Sequence, residues 1–244
     1  MAAYLCHEAP DLLTHEAEVV DSRPGAVVLS RSALYPGGGG QPTDRGTLAW
    51  KGGETAITGV EQQGSRLWHL LAESVEISGP VELRVDPDFR FLMQQLHTGL
   101  HIVNALAFQA FDGALVTGAN MTGDPVSGGG TARIDLDLPG ADNQRLREME
   151  ATINDIIAQD LPVNTFSLPM AQAAQEPGTL RSKAVTPPAQ PDGTVRIVEI
   201  AGLDRQACGG THLSSTGESR PLRILKVENK GRHNRRVKLG LADL

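Results

Sequence analysis

Two short motifs, over 100 residues apart, constrain this chain more than any other feature in it. His97-Thr98-Gly99-Leu100-His101 lies in a stretch of helical periodicity, and residues four apart in a helix stand one turn apart on one face. Cys208-Gly209-Gly210-Thr211-His212 places a thiol and an imidazole around two glycines, which let the backbone turn sharply enough to aim both side chains inward. Each motif alone also fits ordinary structure: two histidines beside an apolar helix face, or a glycine turn with a buried cysteine acting as a small hydrophobe. Together they supply three imidazoles and a thiolate, ligands suited to Zn²⁺. Three of the seven histidines and one of the two cysteines fall within these ten positions. The expectation is one Zn²⁺ per chain, held by His97, His101, Cys208 and His212, in a fold that brings a helix to a distant loop. Four protein ligands are usual for a closed structural zinc, whereas catalytic zinc keeps a position open. Expansion of the coordination, displacement of one ligand and a purely positioning ion all fit the sequence.

The rest of the chain divides by pattern. Segments 18–21, 26–31, 46–50, 66–70 and 81–85 are short, β-prone and separated by Gly, Pro, Asp or Ser clusters. A small β-barrel or curled sheet closes such strands with few free edges. At residue 86 the pattern changes. Asp86 fits an N-cap and Pro87 the first helical position. Phe89, Leu92, Met93, Leu96, Leu100, Val103, Ala107 and Ala110 then recur at helical spacing until Asp112-Gly113. Strands are expected at 114–117, 131–138, 162–168 and 195–200, a helix at 141–159 and a short one at 170–174. A loop is expected from Pro187-Pro188 to Asp192-Gly193, and a hairpin at 222–228 and 235–239. Strands and helices without regular βαβ alternation point to an α+β fold, with domains 1–86 and 87–244.

Apolar residues make up 40% of the 244 and charged residues 21%, which favours a globular chain; aromatics at 4% require an aliphatic core. No run of about 18 apolar residues predicts a membrane span. Residues 1–10 do not read as a secretory signal, and two cysteines exclude a disulfide framework, so the expected location is cytoplasmic. Net charge is −7, but residues 219–238 hold eight cations against one acid, Glu228; that segment is +7 and the remainder −14. Such asymmetry fits either a phosphate-facing surface on an acidic body or a solvated hairpin rich in Lys and Arg.

Between two β-like segments lies Tyr35-Pro36-Gly37-Gly38-Gly39-Gly40-Gln41-Pro42-Thr43-Asp44. Four glycines leave the backbone free to take positive φ and approach a ligand, and exposed N–H groups there suit phosphate or carbonyl oxygen. No Gly-Lys-Ser/Thr follows, so it is not a Walker loop. A plain flexible turn would cost folding entropy at each glycine.

The order 35–44, His97…His101, Cys208…His212 resembles the editing domain of alanyl-tRNA synthetase and its free-standing AlaX homologues. The stretch from Ala201 to His212, including Asp204 and Gln206, is similar to the family's form, as are Thr216-Gly217-Glu218 and the basic hairpin. The glycine-rich motif ahead of the His pair resembles the medium-length AlaX class, which keeps an N-terminal barrel. The resemblance implies an α+β zinc-binding editing domain of the threonyl/alanyl-tRNA synthetase second additional domain type, behind a small β-barrel domain. It implies deacylation in trans of mischarged tRNA(Ala), carrying serine or glycine, at a zinc bound by His97, His101, Cys208 and His212. Gly37, Gly38, Gly39, Gly40 and Gln41 would line the aminoacyl pocket, with Gly38, Gly39, Gln41 and Thr98 as catalytic candidates. Arg232, Arg235 and Arg236 would bind tRNA. Leu100 stands where the synthetase's own domain typically has Thr, and 116–120 lacks a Gln often used there, which leaves fewer hydroxyl-reading groups. Thr98, Thr117 and Gln41 are the polar candidates for recognising a serine hydroxyl. A zinc hydrolase of another aminoacyl ester and a non-catalytic tRNA-binding zinc module are the competing readings. The sequence argues against a metalloprotease, because Thr98 stands where HExxH carries its glutamate base.

Overall fold

The computed structural model describes residues 5–183, 190 and 192–242. The chain forms two compact units, Met1–Gly38 with Pro42–Phe91, and Gly39–Gln41 with Leu92–Leu244. The division thus falls inside the long helix and counts three residues of the glycine loop with the second unit, whereas the pattern break marks residue 86 alone. The expected loop residues Pro187, Pro188, Ala189 and Pro191 lie outside the described residues.

In the first unit a one-turn helix, α1 (Leu5–Glu8), precedes six strands: β1 (Thr14–Arg23), β2 (Ala26–Leu29), β3 (Gly46–Trp50), β4 (Gly53–Gln63), β5 (Arg66–Leu71) and β6 (Pro80–Val85). They close into a barrel in the order β1-β2-β5-β4-β3-β6, so no strand keeps a free edge. Val27, Leu29, Leu34, Leu48, Ile57, Leu71, Leu83 and Val85 fill it, an aliphatic core as the scarcity of aromatics requires. β4 is the strand that the sequence pattern does not announce. It carries Glu54, Glu61, Gln62 and Gln63, and only Thr55 and Ile57 are fully buried, so its alternation is too brief to read among polar neighbours.

Asp86 Oδ1 accepts from the backbone N–H groups of Asp88 and Phe89, each at 3.0 Å, and opens α2 (Pro87–Ala110). The helix ends where Asp112 and Gly113 turn to φ 52° and 105° and Gly113 N–H closes on Phe108 O at 3.0 Å.

In the second unit α2 is buried at every residue from Gln95 to Ala105. The expected single apolar face therefore understates its enclosure. On one side lies a four-stranded sheet in the order β12-β13-β8-β7, made of β7 (Leu115–Asp124), β8 (Gly129–Asp137), β12 (Leu222–Lys230) and β13 (Asn234–Leu241). Leu92 and Leu96 press on Gly123 and Gly130, where an added Cβ would stand 2.7–3.0 Å from their methyl groups. On another side lies a three-stranded sheet, β11-β10-β9, made of β9 (Val163–Pro169), β10 (Thr194–Ile200) and β11 (Asp204–Ala207); Asn104 of α2 donates to Gln206 of β11. The expected helix at 141–159 is two helices, α3 (Asn143–Arg147) and α4 (Met149–Ala158), and α5 (Met170–Ala173) follows β9. α4 covers the edge of β12. Asn154 bonds both the N–H and the C=O of Leu222 at 2.9 Å, and Glu150 accepts from Ile224 N–H at 2.7 Å. Among the described residues no helix is long and apolar enough to cross a membrane.

Candidate metal centre

His97 and His101 project from the buried part of α2, and Cys208 and His212 from the turn after β11. One donor atom from each lies within 4.8 Å of the others. The three imidazole centroids are 4.2–5.2 Å apart. Cys208 Sγ stands 3.5 Å from His97 Nε2 and 3.5 Å from His212 Nε2. A tetrahedral zinc with Zn–N of about 2.0 Å and Zn–S of about 2.3 Å has N···S edges of roughly 3.5 Å. A lone thiol has one proton and donates to only one of two imidazole nitrogens. The donor set fits a single Zn²⁺.

The far nitrogens of two histidines have partners. His97 Nδ1 is 2.9 Å from Gln41 Oε1. His212 Nδ1 is 3.3 Å from Thr98 Oγ1, which also accepts from Leu213 N–H at 3.2 Å. Such outer contacts fix the ring tautomer and orientation of a ligand. Gly210 N–H points at Cys208 Sγ at 3.4 Å. Arg196 of β10 donates from one Nη to the carbonyls of both Cys208 and Gly210, 2.9 Å each, and so clamps the turn that carries the thiol. Sequence reasoning passes over Arg196, because a charge alternating with Val195 and Ile197 in a strand reads as a solvent-facing residue.

Electrostatics prepare the ligands. Burial pushes His97 down to about 3, helped by the charge of Arg196 and opposed by the Thr211 backbone. Burial likewise holds His101 well below the ordinary imidazole value, with repulsion from His97, Arg181 and Arg196 added. Both are neutral near pH 7, the form that binds a metal. Burial pushes the Cys208 thiol up, against the Gly210 N–H and Arg196; a coordinated cation deprotonates such a thiol.

The other expected site residues divide. Gln41 and Thr98 are 2% and 1% exposed, and they hydrogen-bond to the histidine ligands and to the 211–213 backbone. Gly37, Gly38, Gly39 and Gly40 all have positive φ, from 59° to 135°. Gly38 O accepts from the Tyr35 hydroxyl at 3.0 Å. The base of the loop is latched by Asp44, which accepts from Tyr35 N–H at 2.7 Å and pairs with the buried Arg90. Gly40 packs on β7: its carbonyl accepts from Met121 N–H at 2.8 Å, and an added Cβ would stand 2.5 Å from the Ala119 carbonyl. Above Gly39 there is open space. Thr117 sits at a bulge in β7 and donates to Asp135 O at 3.2 Å. On the hairpin Arg232 is exposed at the turn. Arg235 is mostly buried: it is 8% exposed, shares the face of buried Val237, and donates to Ala141 O at 3.2 Å. Arg236 is held in a two-bond fork by Asp135, at 2.6 and 2.8 Å. Alternation along β13 puts these two adjacent arginines on opposite faces, which a count of basic residues does not register.

Residues 195–238, which include Cys208 and His212, match the family described as threonyl and alanyl tRNA synthetase second additional domain. The chain is similar to the alanyl-tRNA editing protein AlaX-M of Saccharolobus solfataricus, 35% identical over 226 residues that cover 91% of each protein. It is 32% identical to the AlaX-M protein of Methanosarcina mazei over 233 residues, 89% of this chain and 87% of that one. An alanine–tRNA ligase of Korarchaeum cryptofilum is 34% identical over 226 residues, and the matched region is 91% of this chain but 24% of the ligase. Matched nearly end to end by proteins of that name, and built around the same order of motifs that carries the resemblance, the chain belongs to the AlaX-M family of alanyl-tRNA editing proteins.

Proposed function

We propose that this protein is a zinc-dependent aminoacyl-tRNA hydrolase that removes serine, and secondarily glycine, from mischarged tRNA(Ala). The observation that carries the reading is the convergence of His97, His101, Cys208 and His212 within 4.8 Å, in a chain aligned over nine tenths of its length with an alanyl-tRNA editing protein. The bond cleaved is the ester between the amino acid and a terminal ribose hydroxyl; water enters at the carbonyl carbon, and the ribose oxygen leaves with a proton. Zn²⁺, when bound, supplies a Lewis-acid centre for this step. The residues of the chain hold and orient. His97 and His212 present Nε2 because Gln41 and Thr98 occupy their far nitrogens. Gly39, with φ 59° and open space above it, is the loop residue best suited to offer a backbone N–H to the developing oxyanion. A pocket whose buried polar groups need a hydroxyl can reject alanine by a factor on the order of 10⁴, which an apolar pocket cannot do in favour of alanine over serine.

For the tRNA backbone the best surface is the outer face of the four-stranded sheet. The register sets Lys226 opposite Lys238, and Lys238 opposite Arg133, so three cations form a row across β12, β13 and β8. Exposed Lys230 and Arg232 extend it toward the hairpin turn, and exposed Arg223 lies at the opposite end of β12. Fixed cations on one face suit phosphate contacts, independent of sequence.

The test is deacylation of Ser-, Gly- and Ala-tRNA(Ala), each with and without a chelator. Hydrolysis of the serine ester, sparing of the alanine ester, and loss on chelation with recovery on added Zn²⁺ are expected. A metal-loaded protein inert toward all three esters would sink the reading; activity unchanged by metal removal would sink its zinc dependence.

A further inference from the structure

We propose that Gln41 is a positioning residue for the metal centre, and that the glycine run exists in part to deliver it there. Gln41 Oε1 lies 3.0 Å from Thr211 N, a backbone N–H that can only donate. The amide must therefore turn its oxygen to this site; the flipped amide would set donor against donor. The other end of the amide, Nε2, donates to Thr211 Oγ1 at 2.7 Å. With the oxygen so fixed, His97 Nδ1 at 2.9 Å must carry the proton and donate to it. The lone pair of His97 is left on Nε2, the nitrogen 3.5 Å from Cys208 Sγ. One amide thus selects the His97 tautomer and ties the helix ligand to the backbone beside His212. Gln41, His97 and Thr211 are 2–6% exposed, so these contacts lie away from bulk solvent, where hydrogen bonds are electrostatically stronger.

The loop accounts for how a residue so far along the sequence reaches this point. Gly40, next to Gln41, lies flat on β7 at φ 93°, bonded to Met121 N–H, where any side chain would strike the Ala119 carbonyl. The glycine is needed for close approach there, and the approach sets Gln41 against the helix.

This positioning role rests on the proposed binding of zinc by the four ligands. Its test is Co²⁺ and Zn²⁺ affinity, by optical titration and chelator competition, for the full chain and for Gln41→Met and Gln41→Glu, together with the denaturation midpoints of the metal-free proteins. Removing a hydrogen-bond partner of a metal ligand typically weakens metal binding 10–100-fold. Gln41→Met is expected to show that weakening. Gln41→Glu keeps an acceptor for both His97 and Thr211, whose hydroxyl can turn to donate, and is expected to restore affinity. A merely structural role would lower the metal-free midpoint of both variants and leave the metal affinity of the folded protein unchanged. Wild-type affinity in Gln41→Met, or no rescue in Gln41→Glu, would overturn the inference while leaving the metal reading intact. Failure of the unaltered chain to take up Co²⁺ would overturn both.

Discussion

Gly210 lies against the His97 ring so closely that an added Cβ would overlap Cε1 and Nδ1 of the imidazole. The turn that carries Cys208 and His212 is thus in backbone contact with the imidazole of the opposing helix, and this close approach brings the donor atoms of both elements within 4.8 Å of one another. Gly209, its neighbour, has no atom within 4 Å of an added Cβ. Gly210→Ala is therefore expected to abolish stoichiometric zinc, and Gly209→Ala to retain it. Metal content of the purified variants distinguishes them; full zinc in Gly210→Ala would mean that the turn can move without losing the site.

Thr98 sits one residue from His97, and from the sequence it is a candidate reader of a serine hydroxyl or a water, or a helix residue bonded to its own backbone. Its oxygen is engaged with His212 Nδ1 and Leu213 N–H. Thr98→Val should then lower metal affinity as well as hydrolysis, by about 10–100-fold in affinity, and Thr98→Ser should preserve both. Intact metal affinity in the valine variant, with serine hydrolysis alone reduced, would return Thr98 to the substrate.

His69 lies in the barrel, with Nε2 2.9 Å from Ser32 Oγ. Burial pushes it down to about 4, opposed by the Val27 carbonyl and reinforced by His15. The folded barrel keeps the ring neutral, while an unfolded chain protonates it near 6.5. Below 6.5 the unfolded state binds more protons, so the contribution is complete above that pH and fades as pH falls toward about 4. The shift corresponds to about 3 kcal/mol. Denaturation midpoints against pH should fall less steeply between these values for His69→Gln than for the wild type. Parallel curves would remove His69 from the acid response.

The two classes of basic residue on the hairpin should separate in binding. Lys226→Ala and Lys238→Ala together are expected to flatten the salt dependence of tRNA affinity by about two units, one for each phosphate the protein no longer neutralises. Arg235→Ala removes a buried hydrogen bond to Ala141 and is expected to lower stability without that change of slope. A slope indifferent to the lysines would move the phosphate surface elsewhere.

The cluster of His97, His101, Cys208 and His212 is foreshadowed in the sequence, because the spacing within each motif is local: four residues make one helical turn, and two glycines make a sharp one. The helix start at Asp86, the β12–β13 hairpin and the short aliphatic strands before residue 86 are legible for the same reason, since capping, turn and alternation signals act over a few residues; whether those strands close into a barrel or a curled sheet is not. β4 is hidden by its polar composition, and the break between α3 and α4 by a continuous apolar pattern. What only the tertiary structure decided is which polar groups face one another across the chain: Gln41 with His97, Thr98 with His212, Arg196 with the Cys208 turn, Arg236 with Asp135. Hydrogen bonds are directional and reach about 3 Å, so such partnerships depend on register and close packing between distant segments. Residue type and local spacing carry no record of either.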